Sequence, residues 1–299
     1  VHFFADAADL ARPLARRLGA KARPIEVHRF PDGESRVRVT PTKGSSAVVV
    51  RRLDDPNAKL FDVLLAVDAL RRTGVRRIAL LAPYLPYMRQ DRVFEPGEGV
   101  SQRVLGRLLG DAVDRLVTLE PHLHRIRRLE EVFACRADAL GAAPLLAGFC
   151  RAQGPGTLVV GPDEESAPWA GAIARAAGLA HVVGTKERRG DRRVRVRLPD
   201  LPPARTAVLV DDIASTGVTL AAAARALRDR GVRRVEAAVV HAIFARGAAT
   251  TLRRAGIARL VSCDTVVHPS NAIPTAGLFA AAIRSPGPPS RPARSHRET

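Results

Sequence analysis

The sequence predicts an α/β protein built as two tandem domains with mostly parallel sheets. Short aliphatic runs alternate with Ala/Leu/Arg-rich segments of helical length, the pattern of a sheet whose strands are joined through helices. Several of the runs are almost wholly apolar, as strands covered on both faces must be. The chain has 299 residues, room for two domains of about 100–200 residues each.

Along the chain, Ala-Val-Val-Val at 47–50 reads as the first buried strand and residues 60–72 as the helix after it. Ile-Ala-Leu-Leu at 78–81 and Leu-Val-Thr-Leu at 116–119 are strands on either side of a helix at 101–109. The rhythm then changes: residues 142–156 carry Pro and Gly, and a domain boundary is placed there. Beyond it, 157–160, 207–210 and 235–240 read as strands, with helices at 167–177 and 220–230. The two halves rhyme. Arg71-Arg72-Thr73-Gly74-Val75-Arg76-Arg77-Ile78 resembles Arg228-Asp229-Arg230-Gly231-Val232-Arg233-Arg234-Val235. In each, a helix ends at Gly and a strand follows. The expected division is 1–145 and 146–284, with the Pro/Ser/Arg-rich 285–299 as a disordered tail.

Composition excludes several classes. The chain is 46% hydrophobic and 26% charged, a globular balance. No stretch nears the ~18 apolar residues of a membrane span, and Val1-His2-Phe3-Phe4-Ala5-Asp6 becomes charged too soon for a secretory signal. Cys135, Cys150 and Cys263 are odd in number and far apart, so neither a disulfide framework nor a CxxC site is expected. A cytoplasmic setting follows. The net charge of +18 points to anionic partners. Nearly all of the positive charge is arginine, 44 residues against the four lysines Lys21, Lys43, Lys59 and Lys186. That bias reads as a solvated Arg-rich surface, and nucleic acid is not the expected partner. It also draws attention to a lysine retained where arginine would serve as a plain charge.

No GxxxxGK[ST], HExxH or complete GxGxxG follows a strand. The strongest local signal is Ala207-Val208-Leu209-Val210-Asp211-Asp212-Ile213-Ala214-Ser215-Thr216-Gly217-Val218-Thr219-Leu220. A buried strand runs into two acids, a hydroxyl-rich turn and a helix. Backbone N–H groups at the turn and helix start favour a phosphate; Ser215, Thr216 and Thr219 add donors, and Gly217 lets the backbone come close. Asp211 and Asp212 can accept from ribose hydroxyls or sit near Mg²⁺. A simple helix cap explains one hydroxyl but not the whole set.

This segment resembles the phosphoribosyl-pyrophosphate (PRPP) motif of type I phosphoribosyltransferase folds, shared by the transferases and by ribose-phosphate pyrophosphokinases. Other segments, in order, resemble the second group: Phe30-Pro31-Asp32-Gly33-Glu34, Tyr84 to Arg92, Glu120-Pro121-His122, Gly161-Pro162-Asp163 and Lys186-Glu187-Arg188. His241-Ala242-Ile243-Phe244 and Cys263-Asp264-Thr265 are similar to late family segments. The resemblance implies two phosphoribosyltransferase-like domains and Mg²⁺-dependent synthesis of PRPP and AMP from ATP and ribose 5-phosphate. It implies ATP binding by Phe30, Asp32, Gly33, Glu34, Arg89 and Gln90, and metal binding by His122 and Asp163. Ribose 5-phosphate falls to Arg188, Asp211, Asp212, Ser215, Thr216, Gly217, Val218 and Thr219, with Lys186 and Arg188 catalytic. A homo-oligomer, at least a dimer, is implied too. Three departures mark a divergent branch: the family usually has Asp at Ser215, often Asp at Glu120, and commonly glycines where Glu164-Glu165-Ser166 stands. The alternatives are a transferase that consumes PRPP and a non-catalytic regulatory homologue.

Read without the family, the pieces stay open. Arg89 and Arg92 suit triphosphate oxygens or an exposed charged loop. Phe30 to Glu34 reads as a turn. His122 is a capping or core residue or a ligand; it lies at a strand's carboxyl end, where α/β sites form. Asp163 is a ligand or a helix cap, and Lys186 stands in a polar stretch that is either a mobile loop that closes over phosphates or an ordinary exposed hairpin.

Overall fold

The computed structural model describes residues 1–42, 44–123, 125–189 and 193–285, with the backbone alone at Arg188, Arg189 and Arg193. The chain forms two units, Val1–Leu140 with the C-terminal segment from Ala276, and Gly141–Thr275.

In the first unit the order is β1 (His2–Phe3), α1 (Ala8–Leu18), β2 (Arg23–Pro24), β3 (Glu26–Arg29), β4 (Ser35–Arg38), β5 (Ser46–Val50), α2 (Pro56–Arg72), β6 (Arg77–Leu81), α3 (Ser101–Ala112), β7 (Arg115–Leu119) and β8 (Arg136–Leu140). Six strands pair in the order β2-β1-β5-β6-β7-β8, every neighbour parallel. β3 and β4 form a separate antiparallel hairpin. Val49, Ile78, Leu80 and Leu116 of the central strands are buried with Val63, Val67 and Leu70 of α2. Removing such side chains from water, at about 1.5–3 kcal/mol each, is what closes the layer.

The second unit runs α4 (Ala143–Ala152), β9 (Leu158–Gly161), α5 (Ala167–Ala177), β10 (Ala180–Val183), β11 (Thr185–Arg189), β12 (Arg193–Arg197), β13 (Thr206–Ala214), α6 (Val218–Asp229), β14 (Arg234–Ala242), α7 (Ala248–Arg254), β15 (Ile257–Cys263) and β16 (Asn271–Ile273). Its sheet order is β10-β9-β13-β14-β15-β16, again all parallel, with β11 and β12 as an antiparallel hairpin. Leu158, Val160, Leu209, Val235 and Val239 form its core with the alanine face of α6.

The two units therefore share one topology. In each, the first strand lies between the second and third, and a hairpin is inserted after the second. The rhyming segments fall at equivalent places, Gly74 and Gly231 taking φ of 91° and 86° between helix and strand.

Three expectations shift. The division falls at Leu140/Gly141, not at 145/146. The last helix, α8 (Ala276–Arg284), expected with the second half, packs on α1 of the first unit; Phe279 is wholly buried there, and Arg115 donates to the Ala282 carbonyl at 2.8 Å. The strand expected at 207–210 runs on through both acids to Ala214. Of the expected tail, residues 286–299 lie outside the described residues. Among the described residues no helix is long and apolar enough to cross a membrane.

Candidate active site

In the second unit the strand order reverses between β9 and β13. Such a switch point opens a crevice at the strands' carboxyl ends, where ligands of open α/β sheets bind. Asp163 follows β9 there, and Asp211 and Asp212 lie near the end of β13. Asp163 is buried, 9% exposed. Its Oδ2 lies 3.4 Å from Lys186 Nζ, an ion pair that joins the strand end to the β11–β12 hairpin. Asp211 is half-buried and Asp212 buried. Burial pushes the Asp211 carboxyl well above the usual range, and the negative charges of Asp212 and Asp163 push it further. Three carboxylates and one lysine thus converge on one crevice.

The hydroxyl-rich turn follows directly. Gly217 has φ 73° and precedes α6, a left-handed conformation that costs other residues about 1 kcal/mol. It is also closely packed: a Cβ there would stand 3.1 Å from Leu252 Cδ2. The Ser215 carbonyl accepts the Ala245 N–H at 3.0 Å, tying the turn to the segment after β14. Ser215 and Thr219 are half-buried; Thr216 and Val218 are exposed. The turn leads into the N-terminus of α6 with hydroxyls around it, the arrangement that receives an anion. Arg188 pairs with Val194 through its backbone, and its side chain lies outside the described part of the structure.

The segments expected to contact a nucleotide all belong to the first unit. Phe30 to Glu34 form the turn of the β3–β4 hairpin, closed by Phe30 N–H to the Glu34 carbonyl and Gly33 N–H to the Phe30 carbonyl, both 2.9 Å. Gly33 has φ 93°. The Asp32 carboxylate accepts the Glu34 N–H at 3.0 Å, so part of its capacity is spent inside the turn. Phe30 is 39% exposed, with His28 edge-on at 4.8 Å. Its open ring is available for stacking. Arg89 is exposed and Gln90 half-buried in the loop after β6; the Gln90 carbonyl accepts the Gln102 N–H of α3 at 3.3 Å. His122 is half-buried after β7, following Glu120, whose φ is 38°.

Sequence reading singled out Asp163 and Lys186 separately and missed that they pair. It also missed a partly buried ion network at the first unit's own switch point, between β1 and β5. Arg52, fully buried, meets Asp9 at 2.6 Å. Arg51 lies 3.4 Å from Asp6 and 3.3 Å from Asp62, and Lys59 bridges Asp6 and Asp54 at 3.3 and 2.9 Å. Two arginines directly after an apolar strand were the available signal. Here the chain's own carboxylates occupy the cations, whereas the second unit presents a hydroxyl-rich turn.

Comparison with known proteins agrees with this architecture. Residues 4–112 match the family model for the N-terminal domain of ribose phosphate pyrophosphokinase, and 141–275 match the phosphoribosyl transferase domain. The crystal structure of phosphoribosylpyrophosphate synthetase from Mycobacterium smegmatis superposes with a TM-score of 0.81 at 27% identity, covering 95% of this chain and 97% of that one. A ribose-phosphate pyrophosphokinase from Thermococcus kodakarensis is 32% identical, with 86% of this chain and 91% of the relative covered. The one from Methanopyrus kandleri is 37% identical over 92% of this chain and 95% of its own length. With two units of one topology and that likeness running through both, the chain belongs to the ribose-phosphate pyrophosphokinase family.

Proposed function

We propose that the chain makes PRPP by moving the pyrophosphoryl group of ATP to the 1-hydroxyl of ribose 5-phosphate, releasing AMP. The observation that carries this is the meeting of Asp163, Lys186 and Asp211 beside the 215–219 turn at one switch point. A PRPP-consuming transferase is not favoured, because the likeness to pyrophosphokinases spans both units.

The sugar oxygen attacks the β-phosphorus of ATP, and the bond from that phosphorus to the oxygen retained by AMP breaks. Positioning and charge neutralisation do most of the work in such transfers. In this reading Ser215, Thr216, Gly217, Val218 and Thr219 hold the 5-phosphate, and Asp211, Asp212 and Arg188 contact the sugar phosphate. Phe30 stacks on adenine, with Asp32, Gly33 and Glu34 around it, while Arg89 and Gln90 meet the triphosphate. Lys186 and Arg188 face charge that develops on the transferring group.

Among the described residues no three His, Cys, Asp or Glu side chains gather into a metal-holding group. Mg²⁺ commonly takes one or two protein donors and completes its shell with substrate phosphates and water. Asp163 in the second unit would offer Mg²⁺ a hard oxygen donor, and His122 in the first an imidazole nitrogen; the ion would disperse charge on the ATP phosphates. An oligomer of at least two chains and a cytoplasmic setting complete the reading, the latter supported by three buried, unbridged cysteines.

The decisive experiment mixes purified protein with ATP, Mg²⁺ and ribose 5-phosphate and follows AMP and PRPP together. Equimolar products that depend on all three components are expected; folded protein yielding no AMP would overturn the proposal. Lys186→Ala should lower turnover by about a hundredfold or more while the fold persists. A near-normal rate would remove Lys186 from the mechanism.

A further inference from the structure

The surroundings of Ser166 connect it to the Asp163–Lys186 pair. It is wholly buried, although a lone serine five residues past a strand would ordinarily sit at the surface. Its Oγ donates to the Asp163 carbonyl at 2.5 Å and accepts the Asp163 N–H at 3.3 Å. The Ser166 N–H reaches the same carbonyl at 3.1 Å. One hydroxyl therefore holds both backbone groups of Asp163.

The hydroxyl fits because Gly161 has no side chain: a Cβ there would stand 2.4 Å from Ser166 Oγ. The Gly161 carbonyl in turn accepts the Gly184 N–H at 2.8 Å, just before β11. The turn that carries Asp163 and the hairpin that carries Lys186 are thus fastened together twice, through Gly161–Gly184 and through the 3.4 Å ion pair.

We infer that Ser166 is a positioning residue: its hydroxyl locks the turn after β9 so that the Asp163 carboxylate is aimed at Lys186. The hydroxyl fixes the Asp163 backbone, and with it the origin of the carboxylate, by hydrogen bonds inside a buried site, where they are strong. The inference rests on the proposed roles of Asp163 and Lys186, so its test includes a reading that does not depend on turnover.

Ser166→Ala keeps most of the volume but removes the acceptor of the Asp163 N–H. The protein has only four lysines, so acylation by an N-hydroxysuccinimide ester can be followed at Lys186 by peptide mapping with Lys59 as internal reference. In Ser166→Ala, without substrates, acylation at Lys186 should rise about threefold or more with Lys59 unchanged, since loss of a buried hydrogen bond loosens the ion pair it aims. Turnover should fall about tenfold, with the KM for ribose 5-phosphate held. Ser166→Cys, similar in size with a weaker donor, should lie between. Unchanged Lys186 acylation in both variants would overturn the inference. A parallel rise at Lys59 would do so too, because it would mean general loosening. If the wild type made no PRPP, the acylation result would still decide whether Ser166 aims Asp163.

Discussion

At the scale of single residues, Asp211 is where function and stability oppose each other. Burial and two neighbouring carboxylates raise its carboxyl well above the ordinary range. In the unfolded chain it titrates near pH ~4. The folded state thus binds more protons between that value and the raised one, and stability falls as pH rises through this window. Above the window the full cost of ionising a desolvated acid beside two carboxylates remains. Asp211→Asn, compared with wild type without Mg²⁺ or substrates, should therefore melt higher near neutral pH by a few degrees. The gap should close as pH falls toward ~4. The same variant should raise the KM for ribose 5-phosphate, because the acceptor for its hydroxyls is weakened. Equal melting of the two proteins across the pH range would show that Asp211 carries no such strain.

Among elements, the β11–β12 hairpin depends on close backbone approach. A Cβ at Gly184 would stand 2.6 Å from Val196 Cγ1 and 2.9 Å from the Pro162 carbonyl. The second is backbone and cannot swing aside. Gly184→Ala should shift the hairpin off the β9 turn and lengthen the Asp163–Lys186 contact. Turnover should drop about tenfold or more, as small misplacements at reacting centres do, while circular dichroism of the sheet stays unchanged. Full activity would show that Lys186 is placed by other means. The hairpin itself was legible only in part. Central strands such as β5, β6 and β9 stand out because burial on both faces makes them apolar runs. Edge elements lack that signal: β2 has two residues, and β8 is Arg-Ala-Asp-Ala-Leu. The first-unit hairpin β3–β4 is mostly exposed and carries alternating charges. The turn at 215–217 was legible because its residue types are unusual together. The Asp163–Lys186 pair was not, because 23 residues separate them and only the strand order joins them.

At the scale of the whole chain, one topology is used twice with different chemistry at the switch point. The second unit presents hydroxyls and acids to a ligand, while in the first the cations meet internal carboxylates. Breaking its most enclosed pair, Arg51–Asp62, by removing one partner costs about 3–5 kcal/mol, so that network is expected to hold the first unit together rather than to bind. The cysteines allow each unit to be watched separately. Cys135 lies in the first unit, Cys150 and Cys263 in the second, and all are buried and unbridged. Burial pushes the thiols of Cys135 and Cys150 up to about 12. At pH 8 only about one in ten thousand of those thiols is the reactive thiolate, against roughly a quarter in an unfolded chain. In native buffer a thiol-specific reagent should leave both unmodified over minutes. In rising urea, Cys150 and Cys263 should become reactive at one shared midpoint, because both lie in the second unit, and Cys135 at the midpoint of the first unit. Rapid modification of Cys135 or Cys150 without denaturant would contradict the burial that raises their pKa. Separate midpoints for Cys150 and Cys263 would mean that the second unit does not unfold as a single body.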